Sequence, residues 1–290
     1  MYQFYIITRF NLRRSDWKTA KNGKKVLSDS WLKERFDLFD NYCFPSVKNQ
    51  SNQDFKWLVF FDSETPEIYK KKIEEYSLSF NNFHPFFIDG MDCFLPSIKE
   101  KIELLDLKKY IITSRLDNDD CLHTDYVKVV QSYFNYQEYL AIDVIDGYCM
   151  QIGAKVKLGR KRQLYNPFIT LIEKKDNCKT VWYRGHTYWK YEKNIYRVKN
   201  KRLWLAIIHE KNYSNEFDGY GKVNFDILKK FSVKQSKTIE LKSKFENFNL
   251  RRFQNFKNRW KINASYYGKE FKTVLGIYKL KKPFAKNKYD

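Results

Sequence analysis

Three carboxylates lie within four residues at one point of the chain. Asp117, Asp119 and Asp120 follow the apolar run 110–113, which is typical of a buried strand, and a helix start is predicted at 124–125. In open α/β sheets, ligands bind at the carboxyl ends of such strands. Clustered carboxylates repel one another unless a cation lies among them. The pattern therefore indicates a divalent metal with a phosphate group beyond it. The alternative is a solvated acidic turn.

The elements before this cluster alternate between strand-like and helix-like patterns. Apolar runs predict four strands, at 4–8, 56–61, 85–88 and 110–113. Between them, apolar residues spaced by three and four predict helices, within 32–43, 69–80 and 98–105. Short connections between such elements predict an α/β fold whose mostly parallel sheet is flanked by helices.

Local signals refine this outline. Thr65 is the expected N-cap of the second helix, with Pro66 at its first helical position. A hairpin with a basic turn is predicted at 157–162. Further strand-like runs follow the acidic cluster, at 139–145, 166–173 and 204–209.

The positive charge of the chain is concentrated near its end. The net charge is +21, and residues 241–290 hold fourteen Lys and Arg against three acidic residues. Such a segment attracts phosphate, whether in nucleic acid, anionic lipid or a phosphorylated glycan carrier. Phe and Trp alternate with these cations, so 233–290 is predicted to be a helical accessory segment. It either packs on the main domain, binds a membrane surface, or does both.

Cysteine usage and apolar run length indicate the compartment. The five cysteines are odd in number and scattered, so neither a disulfide framework nor a zinc site is expected. The N-terminus opens into a strand-like run without the features of a signal peptide. No apolar run approaches the ~20 residues of a spanning helix. We therefore expect a cytoplasmic protein, with peripheral attachment to the inner membrane face as an added option.

Several segments of the chain carry a family resemblance. They are 8–11, 45–50, 55–62, 114–120, 184–187 and 204–212, and residues 116–120 read Leu-Asp-x-Asp-Asp, an Asp-x-Asp motif. Together they resemble the Rossmann-like glycosyltransferase-A fold, and more narrowly a rhamnosyltransferase family of bacterial polysaccharide clusters. The resemblance covers residues 1–220, and it implies a catalytic domain at 1–232 followed by the accessory segment.

This resemblance implies a hexosyltransferase that depends on a nucleotide sugar and a metal. The donor would be a dTDP- or UDP-sugar, with rhamnose indicated by the family's name alone. The acceptor would be a glycan or a lipid-linked glycan of surface polysaccharide biosynthesis. Mn²⁺ or Mg²⁺ would stabilise the departing diphosphate as a Lewis acid. By the family pattern, Asp119 and Asp117 would hold the metal, Asp117 would also approach the donor ribose, and Arg115 would bind a phosphate or the base edge.

Three further residues would frame the nucleotide pocket under the same resemblance. Thr8 and Arg9 end the first predicted strand, and Asp62 ends the second. A simple strand-end cap is the alternative for Asp62, and a surface ion pair is the alternative for Arg9.

The scarce histidines supply candidates for the remaining roles. His209 ends an apolar run and could complete the metal or diphosphate shell, or it could be a structural histidine bonded to a loop carbonyl. His186 lies among aromatic residues and could act as the base on the acceptor hydroxyl, or it could belong to an aromatic core. Asp120 and Glu173 are rival candidates for the base.

Two other functions compete with sugar transfer. A nucleotidyltransferase that makes an activated sugar usually has a glycine-rich loop after the first strand, and residues 11–14 contain arginines but no glycine. A nucleic-acid-binding protein or metal nuclease would account for the charge and the aromatic, basic segment. No nucleic-acid motif accompanies them, so nucleic acid is not the expected partner.

Overall fold

The computed structural model describes residues 1–14, 28–105, 107–209 and 216–280. Nine strands within these ranges form one sheet in the order β3-β2-β1-β4-β8-β6-β9-β5, and β7 pairs with β6. The strands are β1 (Tyr2–Arg9), β2 (Lys56–Asp62), β3 (Phe83–Ile88), β4 (Tyr110–Arg115), β5 (Cys121–Leu122), β6 (Tyr139–Gln151), β7 (Lys157–Arg162), β8 (Thr170–Lys174) and β9 (Ile195–Ile208). The α-helices are α1 (Asp29–Leu38), α2 (Phe44–Lys48), α3 (Glu67–Ser79), α4 (Phe94–Leu105), α5 (Tyr126–Gln131), α6 (Gln235–Ser243), α7 (Arg252–Val274) and α8 (Ile277–Leu280).

The four strands predicted from the first half form a parallel unit. β1 pairs in parallel with β2 and with β4, and β2 pairs in parallel with β3. These strands are apolar along most of their length because helices cover both faces of the sheet. Phe36 and Phe39 pack against Trp57 and Phe61 on one face, as the helical spacing predicts. The carboxyl ends of β1, β2 and β4 therefore meet at one edge.

The second half of the chain makes the sheet mixed. β8 is antiparallel to β4 and to β6, while β6 is parallel to β9. The prediction of a mostly parallel sheet thus holds for the first half. The basic segment 157–162 is strand β7 and not a turn, and the connection from β6 runs through residues 152–156. The predicted N-cap was also wrong, because Pro66 caps α3 while the Thr65 hydroxyl donates to the carbonyl of Asp62.

The C-terminal segment packs on the β6–β7 hairpin. Val156 and Phe245 form a bridge, and the Arg251 guanidinium donates to the carbonyl of Leu158 at 2.6 Å. The helical prediction for this segment is confirmed as far as residue 280, and 281–290 lie outside the described residues. The boundary predicted at 232/233 stays a prediction. Among the described helices, none is long and apolar enough to cross a bilayer.

One close backbone approach shapes the surface beside α7. A Cβ on Gly159 would lie 2.5 Å from the carbonyl carbon of Gly219, so β7 and residues 217–220 approach each other through glycine. Arg160 and Tyr220 exchange backbone hydrogen bonds of 2.7 and 2.9 Å at this point. Residues 217–220 therefore lie between β7 and α7.

Candidate active site

The acidic cluster lies at the carboxyl edge of the parallel strands. The backbone N–H of Leu116 donates to the Ile7 carbonyl at 3.2 Å, which ties the cluster to the end of β1. The Asn118 amide donates to the Phe10 carbonyl at 2.9 Å. The Asp117 side chain keeps 29 % of its surface exposed, whereas Asp119 is buried. The sequence prediction of carboxylates at this edge is confirmed.

Asp119 is bound by a cation and an imidazole from two other elements. Its Oδ2 lies 2.7 Å from Nη1 of Arg35, on α1, and 3.0 Å from Nε2 of His209, directly after β9. Burial opposes ionisation of this carboxyl, but the Arg35 charge and the His209 hydrogen bond together hold the pKa of Asp119 below its ordinary value. Asp119 is therefore a carboxylate, which is the form that a metal requires.

The imidazole of His209 lies between two carboxylates. Its Nδ1 lies 3.7 Å from the Glu34 carboxylate, while Nε2 faces Asp119. Carboxylates behind a ligating histidine fix the ring and raise its basicity. Sequence reasoning found His209 and missed Glu34 and Arg35, because helix spacing on α1 identifies the buried face but not which polar residues reach the sheet edge. The neighbouring 210–212 of the family motif lie outside the described residues.

Asp120 is turned away from this pair into the sheet. Its Oδ1 accepts the backbone N–H of Ile207 at 2.9 Å, which fastens the acidic loop to β9. Burial, with the charges of Asp119 and Asp117, raises the pKa of Asp120 well above its ordinary value. A role as the base stays a prediction, and the contact observed is a structural one.

Arg9 and Arg115 converge on one tryptophan at the same edge. The guanidinium carbons lie 5.2 Å (Arg9) and 4.2 Å (Arg115) from the centre of the Trp182 ring. The indole N–H donates to the Ile7 carbonyl at 3.2 Å, which holds the ring against β1. Arg115 also lies 3.5 Å from Asp117. Two guanidiniums held beside a carboxylate cluster can bind a diphosphate in several orientations.

Thr8 and Asp62 make structural hydrogen bonds at the carboxyl ends of β1 and β2. The Thr8 side chain is fully buried, and its hydroxyl accepts the Trp57 indole N–H at 3.0 Å. Asp62 accepts the backbone N–H of Arg13 at 2.9 Å and that of Glu64 at 3.0 Å, and its Oδ1 lies 2.9 Å from the Arg13 guanidinium. Nucleotide contacts by these two side chains stay predictions. The observed contacts hold the segments after β1 and β2.

Glu173 lies at the opposite edge of the sheet from the acidic cluster. On β8 it pairs with Ile111, near the start of β4, whereas Asp117 follows the end of β4. Six residues of extended chain separate those positions by about 20 Å. This register indicates a structural role for Glu173, which accepts the backbone N–H groups of Lys179 and Thr180 at 2.8 Å, and a role as the base stays a prediction.

His186 begins a short 3₁₀-helix after Trp182. The helix spans His186–Tyr191, and the His186 side chain is half buried. Arg184, nearby, stacks 4.3 Å from the centre of the Tyr183 ring and 5.1 Å from that of Trp189. The aromatic core and the catalytic role proposed for His186 both stay predictions.

Two adjacent cavities lie between the end of β9 and α7. One, of about 600 Å³, is lined by His209, Lys155 and Lys157, and the other, of about 550 Å³, by Lys257 and Lys261 of α7. Both cavities are also lined by three further residues, Glu216, Phe217 and Gln254. Lysines therefore line both cavities, and His209 lines the first.

The side chains at this edge fit a metal that is held partly by its substrate. No cluster of three His, Cys, Asp or Glu that could hold a metal occurs among the described residues. Asp119 and His209 nevertheless offer an oxygen and a nitrogen 3.0 Å apart. Mg²⁺ and Mn²⁺ at phosphate sites commonly take one or two protein ligands, with the rest from phosphate and water.

Comparison with known families identifies the chain. Residues 3–220 match the model of the family described as "Putative rhamnosyl transferase". The chain belongs to this family. Membership in the rhamnosyl transferase family confirms the resemblance seen in the sequence, and with it a glycosyltransferase-A type of α/β fold. No curated protein matches the chain significantly.

Several solved structures are distantly similar to this family member. TarS from S. aureus has 10 % identity and a TM-score of 0.43, over 71 % of this chain and 37 % of that one. Residues 1–349 of S. aureus TarS in complex with UDP-GlcNAc have 12 % identity and a TM-score of 0.42, over 74 % and 62 %. A protein from Desulfovibrio desulfuricans G20 described as a "putative nucleotide-diphospho-sugar transferase" has 8 % identity and a TM-score of 0.37, over 85 % and 99 %. The chain spans less than two thirds of the TarS structures.

Proposed function

We propose that this protein transfers a sugar from a nucleotide-sugar donor to a glycan acceptor. The observation that carries the proposal is the pairing of Asp119 with His209 in an acidic loop whose Asp117 lies 3.5 Å from the Arg115 guanidinium, which shares the Trp182 ring with Arg9. Sugar transfer from such a donor must stabilise a departing diphosphate. An edge with cationic forks next to a metal-binding pair suits that leaving group, and family membership favours the same reaction.

Each group at this edge has a part in donor binding. Arg9 and Arg115 bind the diphosphate oxygens with charge-assisted hydrogen bonds, and Trp182 holds both guanidiniums close to its ring. Asp119 and His209 would hold Mn²⁺ or Mg²⁺, which would supply Lewis-acid stabilisation of the negative charge on the leaving diphosphate. Asp117, the most exposed member of the cluster, approaches the donor ribose.

The acceptor binds in the two adjacent cavities, one of which His209 lines. Lys155, Lys257 and Lys261 favour an acceptor that carries phosphate, such as a lipid-linked glycan. His186 and Asp120 are the candidates for the base that takes the proton of the acceptor hydroxyl. Of the two, His186 lies in the aromatic segment beside Trp182, which suits a sugar-facing role.

A thermal-shift panel tests the donor proposal. The panel contains UDP, dTDP, their sugar conjugates, nucleoside triphosphates and an oligonucleotide, each with and without Mn²⁺. A ligand at about 100 times its Kd stabilises the folded state by ~2.7 kcal/mol, a shift of several degrees. We expect a nucleoside diphosphate sugar with Mn²⁺ to give the largest shift, followed by release of the diphosphate when a glycan acceptor is added.

Two outcomes of the panel would contradict the proposal. A shift confined to nucleoside triphosphates, with turnover of a sugar 1-phosphate, would identify a nucleotidyltransferase. A salt-sensitive shift with the oligonucleotide alone would identify a nucleic-acid-binding protein.

A further inference from the structure

Helix α7 presents an uncovered aromatic stripe to the solvent. Phe253, Phe256, Trp260, Tyr267 and Phe271 follow one another at spacings of 3, 4, 7 and 4 residues. Residues at these spacings share one face of an α-helix. Each of the five keeps between 60 and 83 % of its surface exposed. A contiguous apolar surface of this kind is uncommon on a soluble protein that has no partner for it.

The stripe faces away from the body of the protein. α7 packs through Asn258, Ile262 and Tyr266, which are its buried residues. Ile262 lies two residues after Trp260, about 200° further round the helix. The helix is therefore anchored by a narrow, partly polar face and directs its most apolar face outward.

Basic side chains border the stripe on both sides. Arg252 and Arg259 lie along one border, and Lys257, Lys261 and Lys272 along the other. The acidic residue of α7, Glu270, contacts Lys199 at 3.2 Å and receives the Tyr266 hydroxyl. The outward face thus joins aromatic rings to uncompensated positive charge, which is the pattern of helices that lie in the interface of an anionic bilayer.

We propose that the outer face of α7 docks on an anionic lipid bilayer. The aromatic rings insert at the level of the headgroups while Arg and Lys bind lipid phosphates, as amphipathic side chains do at such interfaces. An apolar groove on a protein partner would match the rings but would leave the cations on both borders without counter-charges. The bilayer satisfies both.

The proposed docking face of α7 adjoins one of the two cavities. Phe253, Lys257 and Lys261 line the cavity of about 550 Å³ as well as bordering or forming the stripe. A bilayer under α7 therefore adjoins this cavity, which shares three lining residues with the cavity that His209 lines. Docking itself does not depend on the proposed sugar transfer, so the two proposals fail separately.

Vesicle sedimentation of the full chain tests the docking proposal. The wild type is compared with Phe256→Ser/Trp260→Ser/Phe271→Ser on the stripe. The matched control carries Leu78→Ser/Leu104→Ser/Leu107→Ser, three leucines elsewhere that are between 72 and 96 % exposed. Phosphatidylcholine vesicles with and without phosphatidylglycerol are used, in about 0.1 M and about 1 M salt, between which the Debye length falls from about 10 to about 3 Å. Thermal unfolding verifies that all variants are folded.

The wild type and the leucine control should sediment with the anionic vesicles at low salt. The affinity of the stripe variant for these vesicles should be about tenfold lower. A charge variant, Arg252→Gln/Arg259→Gln/Lys272→Gln, should bind less at low salt and lose most of the salt dependence. Equal binding by the stripe variant, or equal binding to neutral vesicles, would overturn the proposal. So would a stripe-dependent dimer in lipid-free buffer with no vesicle binding.

Discussion

At the scale of single residues, Asp119 shows how a carboxylate cluster is stabilised before any ligand binds. Like-charge repulsion among the three carboxylates predicts a cation beside them. Arg35 supplies such a cation, with its guanidinium 2.7 Å from Asp119. The isosteric change Asp119→Asn keeps an acceptor for Arg35 and relieves repulsion with Asp117 and Asp120. It removes the charge that a metal needs.

We expect Asp119→Asn to fold normally, to lose the Mn²⁺-dependent part of nucleotide binding, and to slow transfer about 100-fold, or ~2.7 kcal/mol in activation free energy. Isothermal titration with and without Mn²⁺ measures the first effect, and diphosphate release measures the second. Asp54→Asn, an exposed carboxylate, is the matched control and should behave as the wild type. Near-normal turnover of Asp119→Asn in saturating Mn²⁺ would refute the metal assignment.

At the scale of elements, the loop after β8 positions Trp182 by a local constraint. Thr180 has φ of +64°, a conformation that a β-branched residue rarely adopts and that costs on the order of 1–3 kcal/mol. The Glu173 carboxylate offsets this cost by accepting two adjacent backbone N–H groups, and the Thr113 hydroxyl accepts that of Val181 at 2.9 Å. The guanidiniums at the donor edge therefore depend on a carboxylate at the other edge.

Glu173→Gln should weaken nucleotide binding without touching the nucleotide, because the amide cannot accept both N–H groups as the carboxylate does. The expected loss of folding stability is about 1–3 kcal/mol. Adding Thr180→Gly, which removes the conformational cost, should restore part of both losses. Nucleotide affinity and chemical denaturation are the measurements. Unchanged nucleotide affinity with abolished transfer would instead favour Glu173 as the base and would contradict the assignment made from the β4–β8 register.

At the scale of the whole molecule, a buried acid on β6 couples stability to pH. Burial raises the pKa of Asp143 to about 7, although the backbone N–H of Tyr165 and the Asn166 amide donate to it at 2.8 Å. Between about pH 4 and about pH 7 the folded state retains this proton and the unfolded state does not. Stability from this group therefore falls as pH rises through that window, by at most ~4 kcal/mol.

The variant Asp143→Asn should show a smaller loss of unfolding free energy between pH 5 and pH 8 than the wild type, on the order of a few kcal/mol. Urea denaturation at each pH gives the comparison, and the difference between the two proteins cancels the general effect of the net charge of +21. Parallel pH profiles for the two proteins would show that Asp143 does not carry a raised pKa.

The local pattern of the sequence determined the strands, the helices and the position of the acidic cluster. Alternation and helical spacing depend on neighbours a few residues away, so β1 to β4 and the helices α1, α3 and α4 follow from the sequence. The carboxyl edge then follows from strand direction, which explains why Asp117 and Asp119 were found before the fold was known.

Only the tertiary structure decided which distant residues meet at that edge and which faces remain open. Arg35 and Trp182 reach the edge from elements whose sequence patterns predict only which residues are buried. The order β4-β8-β6 depends on pairing between strands that are far apart in sequence. The spacing of Phe253, Phe256 and Trp260 identifies an apolar face of α7 equally well whether it packs inward or lies open. Burial of Asn258 and Ile262 on the opposite face shows that the aromatic face of α7 is the exposed one. A helix on the surface of a domain buries one face against it and leaves the other face to solvent or to a partner.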